Sequence, residues 1–197
     1  MGRPRSGAPP RREAILDAAL AAFVSRGASG VTMGEVAAAA SASKATLYKL
    51  FPDIDRLFAA VLEREVSRRR GAIAGALRAD AVEDALRDAA HAMIGALDAQ
   101  AVELFRLVIA EAGRRPEIGR RFYDSLVASA ARPIADRLGR GGDLSEQDAA
   151  RLALQFVGAV KEPLFYPRLM GATPTGGRDQ VIDDAVAMTC ARLSLSG

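Results

Sequence analysis

Residues 32–51 read TMGEVAAAASASKATLYKLF, and this segment predicts two short helices joined by a tight turn. Thr32 and Glu35 have the spacing of a capping box, in which each side chain accepts a hydrogen bond from the other residue's backbone amide. The first helix should therefore begin directly after Thr32. The run SAS interrupts that helix, and its last residue, Ser43, can cap the second one.

The second helix is predicted to present a polar, cationic face to solvent. Leu47, Leu50 and Phe51 lie three and four residues apart and are expected to face inward. The outward positions are then Lys44, Ala45, Thr46, Tyr48 and Lys49. Cations contact phosphates, and small or hydroxyl side chains contact base edges, so this face suits the major groove of DNA.

The same residues resemble a known family. The sequence SKATLYKLF followed by PDIDRLFAAVLE is similar to the helix-turn-helix signature of the tetracycline-repressor (TetR) family of transcriptional regulators. The sequence EAILDAALAAFVSRGASGVTMGEVA is similar to that family's first two helices, so the resemblance covers about residues 11–63. Ser41 and Ala42 stand where the family usually has Gly and Val, Leu50 where it has an aromatic residue or His, and Ile54 where it has Lys.

The resemblance implies an all-α protein with two parts. Residues 11–53 would form a three-helix helix-turn-helix domain that binds DNA, and residues 54–197 a larger helical bundle that binds an effector and dimerises. Residues 1–10 lack periodic apolar side chains and are expected to be a disordered basic arm. Arg3 and Arg5 in this arm could enter a minor groove, or the arm could be a solvated tail. The expected DNA contacts are Thr32, Ser43, Lys44, Ala45, Thr46, Tyr48, Lys49, Arg3 and Arg5.

Apolar periodicity predicts about nine helices in total. After the three helices of the first domain, a fourth follows Asp53 and continues to about Leu77. The remaining five are expected at about 80–98, 100–113, 116–139, 145–170 and 177–194. Pro163 and Pro167 should kink or end the helix at 145–170 near Lys161.

Composition excludes several classes of protein. No apolar run approaches the roughly 18 to 20 residues needed to cross a bilayer, and the N-terminus lacks a secretory pattern, so a cytoplasmic protein without membrane contact is expected. The 197 residues include one cysteine and one histidine, which argues against a disulfide framework, a zinc site or metalloenzyme chemistry. Neither a metal nor a cofactor is expected.

Charge is distributed unevenly along the chain. The net charge is +3, but residues 1–70 hold 12 Lys and Arg against 7 Asp and Glu, a net charge of +5. Residues 71–197 carry a net charge of −2. The positive excess therefore lies on the part of the chain that is expected to bind DNA.

The larger domain is expected to hold a pocket for a small effector of unknown identity, as the resemblance implies. An apolar pocket with a few polar groups is the usual form of such a site. The candidate lining residues are His91, Met93, Phe105, Arg106, Phe122 and Tyr123. The alternative is that these side chains belong to an ordinary helical core, with His91 a satisfied, partly exposed histidine on an Ala-rich helix.

The last two long helices are candidates for a dimer interface. Their apolar faces contain Leu152, Phe156, Val157, Val160, Val181, Ile182, Ala185, Val186 and Thr189. The resemblance implies that a second copy closes a four-helix bundle against these faces, and burial within one chain is the alternative. A homodimer would place two copies of the second short helix in successive major grooves about 34 Å apart.

The favoured interpretation is a ligand-responsive DNA-binding regulator, a repressor that would bind a pseudo-palindromic operator as a dimer and be released by a small-molecule effector. Lys44 would contact phosphate, Thr46 and Lys49 would approach bases, and Tyr48 would pack on the DNA backbone. A helical enzyme has little support, since the sequence has no phosphate-binding glycine loop and no metal-ligand spacing. A helical interaction or ligand-binding module that has lost specific DNA reading is the second interpretation.

Overall fold

The structure, a computed structural model, describes residues 11–141 and 144–194. Within these ranges it contains ten α-helices and no β-strand, which confirms the predicted all-α fold. None of the helices described there is long and apolar enough to cross a membrane. The predicted arm at residues 1–10, with Arg3 and Arg5, lies outside the described residues.

The helices follow one another with short connections. They are α1 Arg11–Arg26, α2 Met33–Ala39, α3 Lys44–Leu50, α4 Ile54–Ala76, α5 Val82–Gly95, α6 Ala99–Ala112, α7 Pro116–Leu138, α8 Glu146–Leu164, α9 Tyr166–Leu169 and α10 Arg178–Ser194. The 3-10 turns Ala28–Gly30 and Gly139–Gly141 follow α1 and α7.

The helix predicted at 145–170 is in fact two helices. α8 continues beyond Lys161 and includes Pro163 in its last turn. The short α9 then begins with Pro167 near its N-terminus, where the missing amide proton costs no helical hydrogen bond. The described residues therefore contain one helix more than the nine predicted.

The chain divides into two compact units between Arg64 and Glu65, within α4. The division predicted from the sequence, between 53 and 54, falls at the start of the same helix. In the first unit, side chains from all four helices form the core, and Phe23 and Phe58 meet edge to face with their ring centroids 5.0 Å apart. Edge-to-face contact is the arrangement that aromatic quadrupoles favour.

The core of the second unit is built from the end of α4 and from α5, α7, α8 and α10. Leu86, Ile134, Phe156 and Ile182 are among its fully buried side chains. A separate aromatic cluster joins α6, α7 and the residue after α8, with the Phe105 ring centroid 5.1 Å from that of Phe122 and 4.8 Å from that of Phe165. This cluster borders the cavity described below.

Candidate nucleic-acid interface and ligand cavity

The start of α2 is fixed by the predicted capping box. The Glu35 amide donates to Thr32 Oγ1 at 3.3 Å, and the Thr32 amide donates to Glu35 Oε2 at 2.8 Å. Arg26 at the end of α1 also donates to Glu35 Oε1 at 2.6 Å. The bond from Arg26, followed by those from Thr32, lowers the pKa of Glu35 to about 2. The carboxylate therefore stays ionised well below neutral pH and accepts hydrogen bonds from both Arg26 and Thr32.

The turn between α2 and α3 depends on one residue in a left-handed conformation. Ser41 has a φ of 50°, the only positive φ at a described non-glycine residue. Its amide donates to Ala38 O, and the Ala42 amide donates to Ala37 O at 2.9 Å, which is the Schellman pattern at a helix end. Glycine is the residue that adopts this conformation without steric cost, and serine is not.

Replacing Ser41 with glycine should therefore stabilise the protein. The expected gain in the free energy of unfolding is about 0.5–1 kcal/mol, because relief of left-handed strain exceeds the extra backbone entropy that glycine loses on folding. Urea unfolding followed by circular dichroism measures this difference. The control is Ala38→Gly inside α2, which should cost a similar amount. Equal destabilisation by both substitutions would contradict the conformation described for Ser41.

α3 begins as the sequence predicted. Ser43 accepts a hydrogen bond from the Thr46 amide at 3.1 Å, and the two hydroxyl groups lie 2.8 Å apart. Leu47 is fully buried and Phe51 is nearly so. The prediction that Leu50 faces inward is wrong, because its side chain is 41% exposed. A helix of seven residues buries one narrow stripe, and Leu47 with Phe51 already occupies it.

The outward side of α3 is polar and cationic. Lys44, Ala45 and Lys49 are exposed, Tyr48 is 52% exposed, and Thr46 is half-buried. Neither Lys44 nor Lys49 forms an ion pair with any residue that the structure describes. Both ammonium groups are thus available to a negatively charged partner. We call the exposed side chains at 44, 45, 48 and 49 the α3 face.

Thr32 and Lys44 come close to each other although they belong to different helices. A methyl group added at Gly34 would lie 3.4 Å from Lys44 Cε and 4.0 Å from Thr32 Oγ1. The hydroxyl groups of Thr32 and Ser43 are exposed but already serve as helix caps. Of the expected contacts, Thr32 and Lys44 therefore both lie beside Gly34 of α2.

The second unit contains a cavity of about 470 Å³ with a mainly apolar lining. Four of the predicted residues line it: Met93, Phe105, Phe122 and Tyr123. His91 and Arg106 are not among the lining residues. Arg106 instead donates to the backbone oxygens of Arg168 and Leu169, both at 3.0 Å, and His91 is half-buried on α5.

Sequence reasoning missed the two cations of this cavity, Arg69 on α4 and Lys161 on α8. Lys161 Nζ lies 5.3 Å from the Phe105 ring centroid and 5.6 Å from that of Phe165, within the range of a cation–π contact. Burial lowers the pKa of Lys161 below its usual range. The available signal was a lysine at the end of the apolar run FVGAV, residues 156–160 of α8.

Most of the predicted dimer residues are buried within the single chain. Leu152, Phe156, Val160, Ile182, Ala185, Val186 and Thr189 are all buried. Val157 lines the cavity, and Val181 is half-buried. The exposed residues of α10 include Asp184, Ala187, Met188 and Ala191, which follow one another at helical spacing and which we call the α10 stripe. Met188 is 60% exposed and is its largest apolar side chain.

Comparison with protein families gives two matches that together span both units. Residues 15–61 match the family described as bacterial regulatory proteins, tetR family. Residues 84–193, more than half of the chain, match the C-terminal domain described as that of AefR-like transcriptional repressors. A search of curated proteins gave no match.

Several solved structures have the same fold over nearly the whole chain. A protein from Mesorhizobium loti MAFF303099, described as a TetR-family transcriptional regulator, is 29% identical with a TM-score of 0.76, covering 94% of this chain and 96% of that one. The flavonoid-responsive regulator FrrA is 25% identical with a TM-score of 0.74 and the same coverage. A TetR-like regulator from Rhodococcus sp. RHA1 is 25% identical with a TM-score of 0.64, covering 95% and 99%.

The first match covers the part of the chain that carries the α3 face, and the second covers most of the unit that contains the cavity. Proteins of this kind are DNA-binding transcription factors and not enzymes, as the sequence predicted. The chain belongs to the TetR family of transcriptional regulators.

Proposed function

We propose that this protein is a ligand-responsive repressor that binds a pseudo-palindromic operator as a homodimer and releases it when a small effector binds. The observation that carries the proposal is the α3 face, on which Lys44, Tyr48 and Lys49 are exposed and both lysines lack an ion pair within the described chain. The match of residues 84–193 to the C-terminal domain of AefR-like repressors supports repression rather than activation. Such a protein would act in the cytoplasm, where its operator lies.

Each side chain of the interface has a proposed role. Lys44, beside Thr32, contacts a phosphate, because a flexible ammonium group acts as a point charge for an anion. Lys49 and Thr46 approach base edges, and Ala45 allows the helix to come close to them. Tyr48 packs against the sugar-phosphate backbone. Ser43 supports this set by capping α3. Arg3 and Arg5 remain predicted contacts of the basic arm.

Dimerisation is proposed through the exposed sides of α8 and α10 rather than through their buried sides. On α8, Leu154 and Gly158 are exposed and also border the cavity, and on α10 the stripe offers Met188 between two alanines. Small residues around larger apolar ones allow helices of two copies to approach closely and form a four-helix bundle. A two-fold interface of this kind presents the α3 face twice, as successive major grooves require.

The cavity of the second unit is the proposed effector site. Its volume of about 470 Å³ and its lining by Met93, Phe105 and Phe122 suit a small, largely apolar molecule. FrrA, which has the same fold, is described as flavonoid-responsive, which supports a small organic effector for this chain. To cause release of the operator, the effector must have a higher affinity for the conformation that does not fit DNA than for the conformation that does.

Operator binding tests the proposal directly. Labelled duplexes from the DNA upstream of the gene are titrated with the protein, and fluorescence anisotropy is followed at several salt concentrations. We expect one duplex to bind more tightly than random DNA. For each tenfold rise in salt concentration, the logarithm of the binding constant should fall by about 0.9 for every phosphate that the protein neutralises. Equal affinity for every duplex would contradict the proposal and favour a module that no longer reads DNA.

A further inference from the structure

The charges that line the cavity do not balance. The described residues that line it include two cations, Arg69 and Lys161, and no acidic side chain. Arg69 is paired with the buried Glu65, whose Oε2 lies 3.2 Å from Arg69 Nη1 and whose Oε1 lies 3.5 Å from Nη1 of the exposed Arg68. Arg69 also donates to the backbone oxygens of Glu65 and Ala96. One positive charge, that of Lys161, is left without a counterion.

Lys161 has no carboxylate within salt-bridge distance in the described part of the chain. Its nearest described electrostatic partners are the rings of Phe105 and Phe165. An aromatic face attracts a cation but cannot satisfy the three N–H donors of an ammonium group as carboxylate oxygens do. Because the surroundings are apolar, an unpaired cation here attracts an anion far more strongly than it would in water.

Lysine is also a rare residue in this chain. The chain has 27 cationic residues, and only three of them are lysines: Lys44, Lys49 and Lys161. Lysine presents a compact point charge that one oxyanion can pair with, whereas arginine presents a planar fork. The remaining wall, with Val108, Phe122 and Leu126 among its members, offers apolar contact.

We propose that the ligand of this cavity is a largely apolar monoanion whose charged group pairs with the ammonium group of Lys161. This inference rests on the cavity being the effector site proposed above. A second anionic group on the ligand would have no free cation to meet among the lining residues, since Arg69 is already paired. A neutral ligand would leave Lys161 desolvated and without an oxyanion. The class therefore comprises apolar carboxylates, phenolates and sulfonates.

Two dyes with the same aromatic skeleton test the charge preference. The anionic probe is 8-anilinonaphthalene-1-sulfonate, and the neutral probe is N-phenyl-1-naphthylamine, which lacks only the sulfonate. Fluorescence titration of the full chain should give one tight site for the anionic probe. In Lys161→Met, which keeps an unbranched side chain without charge, affinity for the anionic probe should fall by about tenfold or more. Affinity for the neutral probe should change by less than about twofold, since its apolar contacts remain.

Two further variants keep the test interpretable. Arg78→Met removes an exposed cation that does not line the cavity and should leave both dye affinities unchanged, whereas Lys161→Arg should retain most of the preference for the anion. Thermal unfolding verifies that each variant is folded. The inference is overturned if Lys161→Met weakens both dyes equally or neither, or if the wild-type protein binds neither dye. Operator binding is measured separately, so its absence would count against the proposed repressor and not against the charge preference.

Discussion

Met188→Glu should lower affinity for the operator by about 10²–10⁴-fold. Met188 is 60% exposed and lies at the centre of the α10 stripe, where the proposed dimer would bury it. A glutamate at that place would have to lose its hydration without a partner, which disfavours association. A monomer then binds one half-site alone and loses the effective concentration that the second half-site provides. Light scattering gives the molar mass, and anisotropy gives the operator affinity.

The control for this substitution is Met170→Glu. Met170 follows α9 directly and is 78% exposed, so the same change of side chain occurs outside the α10 stripe. This variant should remain dimeric and bind the operator as the wild-type protein does. If Met188→Glu is also dimeric with unchanged affinity, the interface does not involve the α10 stripe.

Lys49→Ala should weaken binding to the operator by about 1–3 kcal/mol, the range for loss of one good contact to a base. Lys49 is exposed in the last turn of α3 and has no ion pair within the described residues, so its removal leaves no buried charge behind. Affinity for random DNA should change much less. Anisotropy titrations against both duplexes at one salt concentration give the two differences.

Lys44→Ala is the matched comparison, because it removes the same side chain from the first turn of α3. Lys44 is proposed to contact phosphate, so its loss should weaken binding to operator and random DNA alike and reduce the salt slope by about 1. An equal loss on both duplexes for Lys49→Ala would show that Lys49 also contacts only phosphate. The base-reading role of Lys49 would then be wrong.

Local features of the helix-turn-helix could be predicted because their causes lie within a few residues. The capping box of Thr32 and Glu35 and the cap at Ser43 need only the spacing of a side chain and a nearby amide. The approximate ends of α5, α6, α7 and α10 followed in the same way from apolar periodicity, whereas the division into α8 and α9 did not. Leu50 was placed wrongly because periodicity does not specify how wide a stripe the neighbouring helices cover.

The cavity and the interface could not be derived in this way. Arg69 and Lys161 come from α4 and α8, and only the packing of the bundle brings both to one cavity. Apolar spacing on α8 and α10 predicted that one face of each helix is buried, but it cannot specify whether the same chain or a second copy covers it. For Phe156 and Ile182, the cover comes from the chain itself.

The spacing of two half-sites gives the most direct measurement of whether two copies of the α3 face read DNA together. The operator used is the upstream duplex that binds the protein most tightly. Its affinity is compared with that of the same duplex after insertion of about five base pairs, half a helical turn, at its centre. We expect the insertion to reduce affinity nearly to that of a single half-site, because the second α3 face then meets the wrong side of the duplex. Unchanged affinity after the insertion would contradict the account.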